Sequence, residues 1–459
     1  MSNENAKAGK QRIPKQSWTA LVLLWLIFAM NANGRELTNR VLPGIIETYG
    51  ISADTAGLMG TVSAIAMAIA SLPLSKWVDN GGAGWKRKYR MVFLSIGYLI
   101  FMLFNGLTPL TGSFTMVLVW QFFRGFCSGP GEACEVGNVA EWWPKEKNGL
   151  AMGFHHAAFP WGTALGGVMV TALRAVVGMD NWRSTYVIFA VIGILVWIVF
   201  WKWSNEKNYD EFRKETLAEG MTPPVQEAVQ SEETVGKNKG NVIRALRNPN
   251  IIVIAVVCML CNFAYIGFTF WMTPYLTFCA GYSATAASGL SVVYAITGGL
   301  GQIFWGNFAD KHGAKRTLAI GCAWLIVGFY LMRFINISIV ALIVLQLFLG
   351  CCSNAVYPIM YKIVADSSEA GSVVTGNGIL TSLMFLGAAV ATTLMGILIE
   401  LGGGWDNMSG YMTGIYVMVG AMVIALVLVI LFTRETNGPK FKKDFSLVSL
   451  KSCNLEKEQ

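Results

Sequence analysis

The sequence has little charge for its length. Only 14% of its 459 residues are Asp, Glu, Lys or Arg, whereas 54% are hydrophobic. Soluble domains carry about 25% charged residues, so this composition excludes a water-soluble globular protein. It predicts a polytopic membrane protein, with the lipid bilayer as its surroundings.

The signals of several other protein classes are also missing. The nine cysteines show no metal-ligand spacing, so we expect neither a metal centre nor a disulfide framework. No G-x-x-x-x-G-K-[S/T] loop occurs, which argues against ATP-driven activity. The first apolar run is too long for a signal peptide. The net charge is +8, but the basic residues lie between apolar segments and in the tails, so nucleic acid is not an expected partner.

Twelve apolar segments are present, each long enough to cross a bilayer. They lie at about 17–46, 53–77, 90–110, 114–139, 147–174, 183–203, 250–277, 284–308, 316–334, 336–362, 372–398 and 410–433. Lys and Arg cluster in alternate connections, in the long polar loop and in both tails, as they do on the cytoplasmic side of membranes. We therefore expect both termini and the long loop to be cytoplasmic.

The long polar loop divides the spans six and six. The predicted organisation is an all-α membrane protein with a cytoplasmic tail at 1–16, a six-helix bundle at 17–203, a cytoplasmic linker at 204–249, a second six-helix bundle at 250–433 and a cytoplasmic tail at 434–459. The linker is too short and too polar for a catalytic domain, so an enzyme is not expected.

The two halves repeat each other. At a constant offset of 231 residues, Asn31 corresponds to Asn262, Pro43 to Pro274 and Asp79 to Asp310. In span 4, the segment 125–128 (GFCS) resembles the segment 350–353 (GCCS). Internal duplication of a helical unit is common in secondary transporters.

Span 1 carries charge deep in the apolar region. At about 1.5 Å per residue, Arg35 lies roughly 26 Å along a helix that begins at Trp18. An arginine at that depth costs about 2.5–3.5 kcal/mol or more unless it meets water or a partner. Glu36 points about 100° away around the helix, so a tight pair between neighbours is awkward. We expect Arg35 to face a cavity and anchor a carboxylate through a two-point contact; the alternatives are pairing with Glu36 and snorkelling to the interface.

Titratable side chains in spans 4 and 5 are candidates for proton exchange. Glu132 and Glu135 are three residues apart and share one helix face, and His155 and His156 follow in span 5. Buried carboxyl groups and histidines can exchange protons near neutral pH, and either histidine could instead contact substrate. Glu36 is a further carboxyl group. Ion pairing and packing are the alternative roles.

Other polar and aromatic residues complete the predicted substrate site. Arg124 in span 4 is the second basic candidate, with helix positioning as its alternative. Small-molecule sites combine apolar walls with a few polar groups, although helix packing uses the same residue types. The candidates in the second half are Asn262, Tyr265, Trp271, Asn354, Tyr357 and Asn377.

The connection between spans 8 and 9 carries a family motif. Residues 306–316 read GNFADKHGAKR, which resembles the G-x-x-x-D-[R/K]-x-G-x-[R/K]-[R/K] loop of the major facilitator superfamily, and a looser copy covers 74–88. The resemblance covers the whole chain and implies two six-helix bundles that alternate between two open states. In the family this loop is a gate between the bundles. The gating residues it implies are Asp79, Lys86, Arg87, Asp310, Lys315 and Arg316.

Two branches of that superfamily are similar to this chain. The run from Trp142 to Gly153 resembles the W-[F/W]-P-x-x-[E/R]-[R/K]-x-x-A-x-G pattern of anion–cation symporters, which carry sugar acids and related anions with protons. Arg35 followed by Pro43 resembles the first helix of organophosphate antiporters. Those antiporters need a basic residue in span 7, where this chain has Ile266, so a carboxylate fits better than a phosphate ester.

Residues and resemblance together predict a proton-coupled symporter of a small organic anion, such as a sugar acid. It would work as a monomer in the inner membrane, by alternating access, without cofactor or metal. An anion exchanger of the organophosphate type is the first alternative, and an efflux pump is the second. No nucleophile–base arrangement or soluble domain in the sequence supports a membrane-bound enzyme or a sensor.

Overall fold

The computed structural model describes residues 12–79, 81, 84–144, 147–177, 181–224, 246–367 and 373–436. The first half consists of α1 (Lys15–Tyr49), α2 (Ala53–Asp79), α3 (Lys88–Gly106), α4 (Phe114–Ser128), α5 (Gly131–Glu141), α6 (Asn148–His156), α7 (Ala158–Val177) and α8 (Trp182–Trp203). Short 3-10 turns at Gly84–Arg87 and Thr108–Thr111 precede α3 and α4. Helix α9 (Glu206–Ala218) follows at the start of the linker.

The second half repeats this order. It consists of α10 (Pro249–Pro274), α11 (Ala284–Leu290), α12 (Tyr294–His312), α13 (Ala314–Leu331), α14 (Ile339–Ser353), α15 (Val356–Ser367), α16 (Val373–Leu401) and α17 (Met408–Phe432). A π-helical turn at Tyr275–Cys279 extends α10, and a 3-10 turn at Met332–Phe334 extends α13. Together the halves form the predicted all-α membrane fold of two six-helix bundles.

Four of the twelve predicted spans are divided into paired helices, and spans 8 and 10 consist of α11 with α12 and of α14 with α15. Within the described residues, ten helical segments are long and apolar enough to cross a membrane. Spans 4 and 5 are instead formed by α4 with α5 and by α6 with α7. Pro130 and Pro160 lie at or just after these two breaks, and proline removes a backbone donor from a helix. In the sequence each of these two helix pairs reads as one span, because its apolar residues continue through the break.

The predicted repeat between the halves is visible in the backbone. Helices α4 and α14 are both 15 residues long. The side chains of Ser113 and Ser338 cap these two helices at equivalent positions. The glycines at 50 and 281, 231 residues apart, both adopt positive φ, at 60° and 72°. Equal lengths, caps and turn geometry follow from two copies of one helical unit.

The two bundles pack closely at the end remote from the termini. Helix α2 of the first bundle lies along α16 of the second, and a Cβ at Gly57 would lie 2.5 Å from the carbonyl oxygen of Thr392. The Nε1 of Trp405 donates to the carbonyl of Ile51 at 3.2 Å, and the backbone N–H of Ala53 donates to Glu400. This end is therefore closed by backbone approach and by hydrogen bonds between the bundles.

Replacing Gly57 by valine is expected to move the bundles apart at this end. The new side chain would overlap the α16 backbone, and overpacking of this kind costs about 1–3 kcal/mol. We expect the distance between spin labels at Leu110 and Ile337, which are exposed on the two bundles at this end, to shift toward longer values. Gly420→Val is the control, because a Cβ there meets no neighbour within 4 Å. Equal distance distributions in both variants would contradict the role of this seam.

The linker helix α9 docks on the first bundle. The aromatic rings of Tyr209 and Phe212 are buried against Trp142 at the end of α5, with centroid distances of 5.1 and 6.0 Å. Glu215 and Glu219 accept hydrogen bonds from the backbone N–H groups of Lys15 and Arg12. Burial raises the pKa of the Tyr209 phenol to about 12, so the ring enters this contact uncharged. Helix α9 of the linker is thus packed against the first bundle.

Truncating the docking face of α9 is expected to destabilise the first bundle. Phe212→Ala removes a fully buried ring, a change that typically costs about 3–5 kcal/mol. Thermal unfolding in detergent should therefore occur several degrees lower. Leu217→Ala on the same helix is the control, because Leu217 is 60% exposed. Equal unfolding temperatures for the two variants would show that α9 does not contribute to bundle stability.

Candidate functional site

A central cavity lies between the two bundles. The space between its lining atoms, including the part that is open to solvent, is about 1090 Å³. Spans 1, 2, 4 and 5 form one wall, and spans 7, 8, 10 and 11 form the other. Nine of the residues singled out from the sequence line it: Arg35, Glu36, Arg124, Glu132, His156, Asn262, Tyr265, Asn354 and Tyr357.

Arg35 extends from the middle of α1 into this cavity. Its Nε and Nη2 donate to the hydroxyl and the carbonyl oxygen of Ser128, both at 3.3 Å. Its Nη1 lies 3.8 Å from Oε2 of Glu132, a loose ion pair, and both side chains keep some exposure, at 12% and 25%. The guanidinium also lies 5.7 Å from the ring centroid of Phe385 on the opposite bundle. Arg35 is therefore a cation that faces the cavity and is only partly satisfied by the protein.

Arg124 is held more tightly in the same wall. Its Nη2 donates to the hydroxyl of Thr38 on α1 at 2.9 Å, and Gln121 donates to the same oxygen. The guanidinium lies 5.7 Å from the ring centroid of Tyr186. Its Nη1 has no hydrogen-bond partner in the described part of the chain. The Thr38 contact joins spans 1 and 4, and Arg124 is one of the residues that line the cavity.

The opposite wall contains neutral polar and aromatic groups. Tyr357 donates to Oδ1 of Asn262 at 3.1 Å, and Nδ2 of Asn262 donates to the carbonyl of Met384 at 2.7 Å. The hydroxyls of Tyr265 and Tyr294 lie 3.2 Å apart. The two walls thus differ in kind: one bears guanidinium and carboxylate groups, and the other bears phenols and amides.

Three predicted substrate residues lie away from the cavity. His155 is fully buried and stacks on Phe28 at 4.8 Å, and neither ring nitrogen has a partner among the described residues. Trp271 packs against Trp405 at 5.3 Å near the closed end. Asn377 is half-buried at the start of α16, where its carbonyl accepts a hydrogen bond from Thr381.

The predicted proton-coupling residues occupy three different environments. Glu132 lies in the cavity wall beside Arg35. Glu36 is buried at the cavity edge, where it accepts a hydrogen bond from Asn39 at 2.7 Å. Glu135 lies instead in a second, smaller cavity inside the first bundle, next to Tyr98 and Asn31, and Nδ2 of Asn31 donates to it at 3.4 Å. Of the three, only Glu132 both lines the main cavity and approaches Arg35 as an ion pair.

The predicted gating loops form contacts within their own bundles. Arg87 forms a two-point ion pair with Glu141 at the end of α5, with a shortest distance of 2.6 Å. The backbone N–H groups of Lys315 and Arg316 donate to Glu435. The Lys86 side chain is exposed over the Trp85 ring. The side chains of Asp79 and Asp310 lie outside the described part of the structure.

Several site residues were missed by sequence reasoning. Arg40 does not line the cavity but supports its wall: it is 1% exposed and donates to the carbonyl of Thr163 in α7 at 2.8 Å. Tyr361 also lines the cavity, and its position four residues after Tyr357 was a usable signal of a shared helix face. Phe385 and Ser128 gave no such signal, because an aromatic ring or a serine in a span is common in packing.

The family model described as Major Facilitator Superfamily matches residues 24–292 and 280–453. The chain belongs to the Major Facilitator Superfamily. The resemblance seen in the sequence is thereby confirmed, and the protein is a multi-pass membrane transporter.

Individual relatives are distant but cover nearly the whole chain. The hexuronate transporter of Bacillus subtilis (strain 168) is 23% identical over 440 residues, which cover 92% of this chain and 96% of that protein. The phosphoglycerate transporter protein of Salmonella typhimurium is 22% identical, covering 92% and 89%. The crystal structure of a bacterial homolog to the human lysosomal transporter Spinster, inward-facing and occupied, superimposes with a TM-score of 0.66 at 18% identity, covering 92% and 97%. This structural likeness supports the fold.

Proposed function

We propose that this transporter is a proton-coupled symporter of a small organic carboxylate, such as a sugar acid. The bundles at 17–203 and 250–433 rock around the central cavity, and the loops with Asp79, Lys86, Arg87, Asp310, Lys315 and Arg316 form its gate. The protein is a monomer of the inner membrane with both termini in the cytoplasm. It is not an enzyme and uses no cofactor.

The observation that carries this proposal is the loose contact between Arg35 and Glu132 in the cavity wall. The guanidinium gives its hydrogen bonds to Ser128 and keeps the carboxylate of Glu132 at 3.8 Å. Arginine presents a planar fork that matches a carboxylate in two parallel hydrogen bonds. A substrate carboxylate can therefore take the position beside Arg35 with a better geometry than Glu132 has.

Proton coupling follows from the charges at this point. A substrate carboxylate bound to Arg35 would approach the carboxylate of Glu132, and two like charges about 4 Å apart repel by about 4 kcal/mol at an effective dielectric constant of about 20. Protonation of Glu132 removes that repulsion. Anion and proton therefore favour each other's binding, and the coupling is reciprocal. His156, in the same cavity, is a candidate to pass the proton.

The opposite wall suits the rest of a sugar acid. Phenol and amide groups such as Tyr357 and Asn262 can both donate to and accept from hydroxyl groups. The similarity to the hexuronate transporter supports this substrate class. Arg35 and Arg124 are on the same wall. None of the described residues that line the opposite wall is a lysine or an arginine, which disfavours a clamp of two cations around a phosphate.

Substrate exchange without net proton movement is the second candidate. The similarity to a glucose-6-phosphate exchanger of Bos taurus, which is 23% identical over 382 residues, favours it. An exchanger needs a substrate inside to return the cavity to the other side, whereas a symporter does not. The efflux alternative has less support, because charged groups line the cavity.

Uptake into proteoliposomes distinguishes these functions. Labelled hexuronates, aldonates and phosphate esters are offered with and without an inward proton gradient, to empty vesicles and to vesicles preloaded with the same unlabelled compound. We expect a carboxylate to accumulate in empty vesicles only with the gradient. Uptake confined to preloaded vesicles would replace the symport proposal by exchange, and uptake of phosphate esters alone would overturn the substrate class.

A further inference from the structure

A basic and aromatic patch lies outside the transport cavity, where spans 2, 3 and 6 reach the end of the molecule that bears the termini. We name it the span 3 patch. Its members are Trp77, Trp85, Lys86, Lys88, Tyr89, Arg90, Phe93 and Trp201. Phe93 is 69% exposed and Tyr89 is 49% exposed. Nothing in the proposed transport cycle uses these side chains apart from Lys86.

Aromatic rings hold the cations of the patch in place. The Nζ of Lys88 lies 5.0 Å from the ring centroid of Trp201 and 5.4 Å from that of Tyr89, and it donates to the carbonyl of Trp201 at 3.0 Å. Arg90 lies over Trp77 with its Cζ 5.1 Å from the ring centroid. Contacts of this kind order a long side chain without neutralising its charge.

Among the side chains that the structure describes, the patch keeps an excess of positive charge. Arg87, in the same turn, is neutralised by Glu141. In contrast, no carboxylate of the described residues forms an ion pair with Lys86, Lys88 or Arg90. The side chains of Lys86 and Arg90 are exposed at least in part, whereas that of Lys88 is only 5% exposed. A positive field therefore emerges at the membrane surface next to Phe93 and Tyr89.

We propose that the span 3 patch binds the headgroup of an anionic phospholipid. Its phosphate oxygens would accept hydrogen bonds from Lys86 and Arg90, which are about one helical turn apart. Basic pockets between membrane helices at the cytoplasmic side suit such headgroups. Phe93 and Tyr89 would contact the glycerol and the upper acyl chains, an interaction that a water-soluble phosphate cannot provide. A zwitterionic headgroup fits less well because its own cation meets the same basic residues.

Native mass spectrometry of the delipidated full-length protein tests this site. Phosphatidylglycerol and phosphatidylcholine with identical acyl chains are titrated in parallel. We expect one phosphatidylglycerol molecule to bind about tenfold or more tightly than phosphatidylcholine, because each basic residue at the surface adds to the attraction. The double variant K86Q/R90Q should lose this preference. The control K315Q/R316Q, with the same charge change in the equivalent loop of the second bundle, should keep it.

Three results would overturn the proposal. They are equal affinity for the two lipids, equal loss of the preference in the control variant, and displacement of the lipid by glycerol 3-phosphate at the same concentration. The charge-conserving variant K86R/R90K distinguishes loss of charge from misfolding caused by substitution at these two positions. It should retain the preference for phosphatidylglycerol, and its failure to do so while its unfolding temperature matches wild type would also count against the site.

Discussion

Carboxylate uptake is expected to fall by at least about 30-fold in kcat/KM when Arg35 is replaced by alanine. The substrate carboxylate would lose its charged partner inside a largely desolvated cavity, a truncation that typically costs about 2–5 kcal/mol. Arg35→Lys should recover part of the activity, because it keeps the charge but not the planar fork. The measurement is initial uptake into proteoliposomes over a range of substrate concentrations.

The control for this experiment is Arg333→Ala. Arg333 packs on Tyr330 and Phe334 at the closed end and does not line the cavity. It should keep normal uptake at equal protein density. Wild-type kinetics in Arg35→Ala would show that Arg35 does not bind the substrate carboxylate. Another cation would then have to bind it, and Arg124 is the next candidate.

Loss of proton-driven accumulation is the second large effect, expected for Glu132→Gln. Glutamine at position 132 is uncharged at every pH, so it does not repel the substrate carboxylate. Substrate binding then no longer requires a proton. We expect exchange between preloaded vesicles and the medium to persist. Accumulation in empty vesicles should become insensitive to the proton gradient, whereas wild type accumulates more as the external pH falls.

Glu135→Gln is the matched comparison for that variant. Glu135 is three residues away on the same span but lies in the smaller cavity inside the first bundle, with Asn31 as its hydrogen-bond donor. Retained coupling in Glu135→Gln, together with its loss in Glu132→Gln, supports Glu132 as the proton carrier. The reverse result would transfer that role to Glu135 and would contradict the mechanism in which anion and proton meet at Arg35.

The neighbouring histidines show where sequence reasoning reached its limit. An unperturbed imidazole titrates near neutral pH, so the sequence offered both residues as candidates and could not choose between them. The structure places His156 in the cavity wall and His155 against Phe28. Adjacent helix positions point about 100° apart, so the choice depends on how the short helix α6 is rotated about its axis. That rotation is set by the helix break at Ala157 and by packing on span 1.

Sequence by itself determined the membrane class, the number of spans, the duplication and the unusual charge of span 1. These features follow from local hydrophobicity and from the cost of an arginine in an apolar region, and both are properties of the chain one segment at a time. It also selected a carboxylate-binding candidate, Arg35, whose side chain does face the cavity.

Only the tertiary structure decided which polar groups meet. The pairing of Arg35 with Glu132 joins residues 97 positions apart, on spans 1 and 4. Glu132 and Glu135 line two different cavities, and Trp271 and Asn377 lie outside the main one. These positions depend on the rotation and crossing of packed helices. Hydrophobicity within a span does not fix these, because a buried helix is apolar on most of its faces.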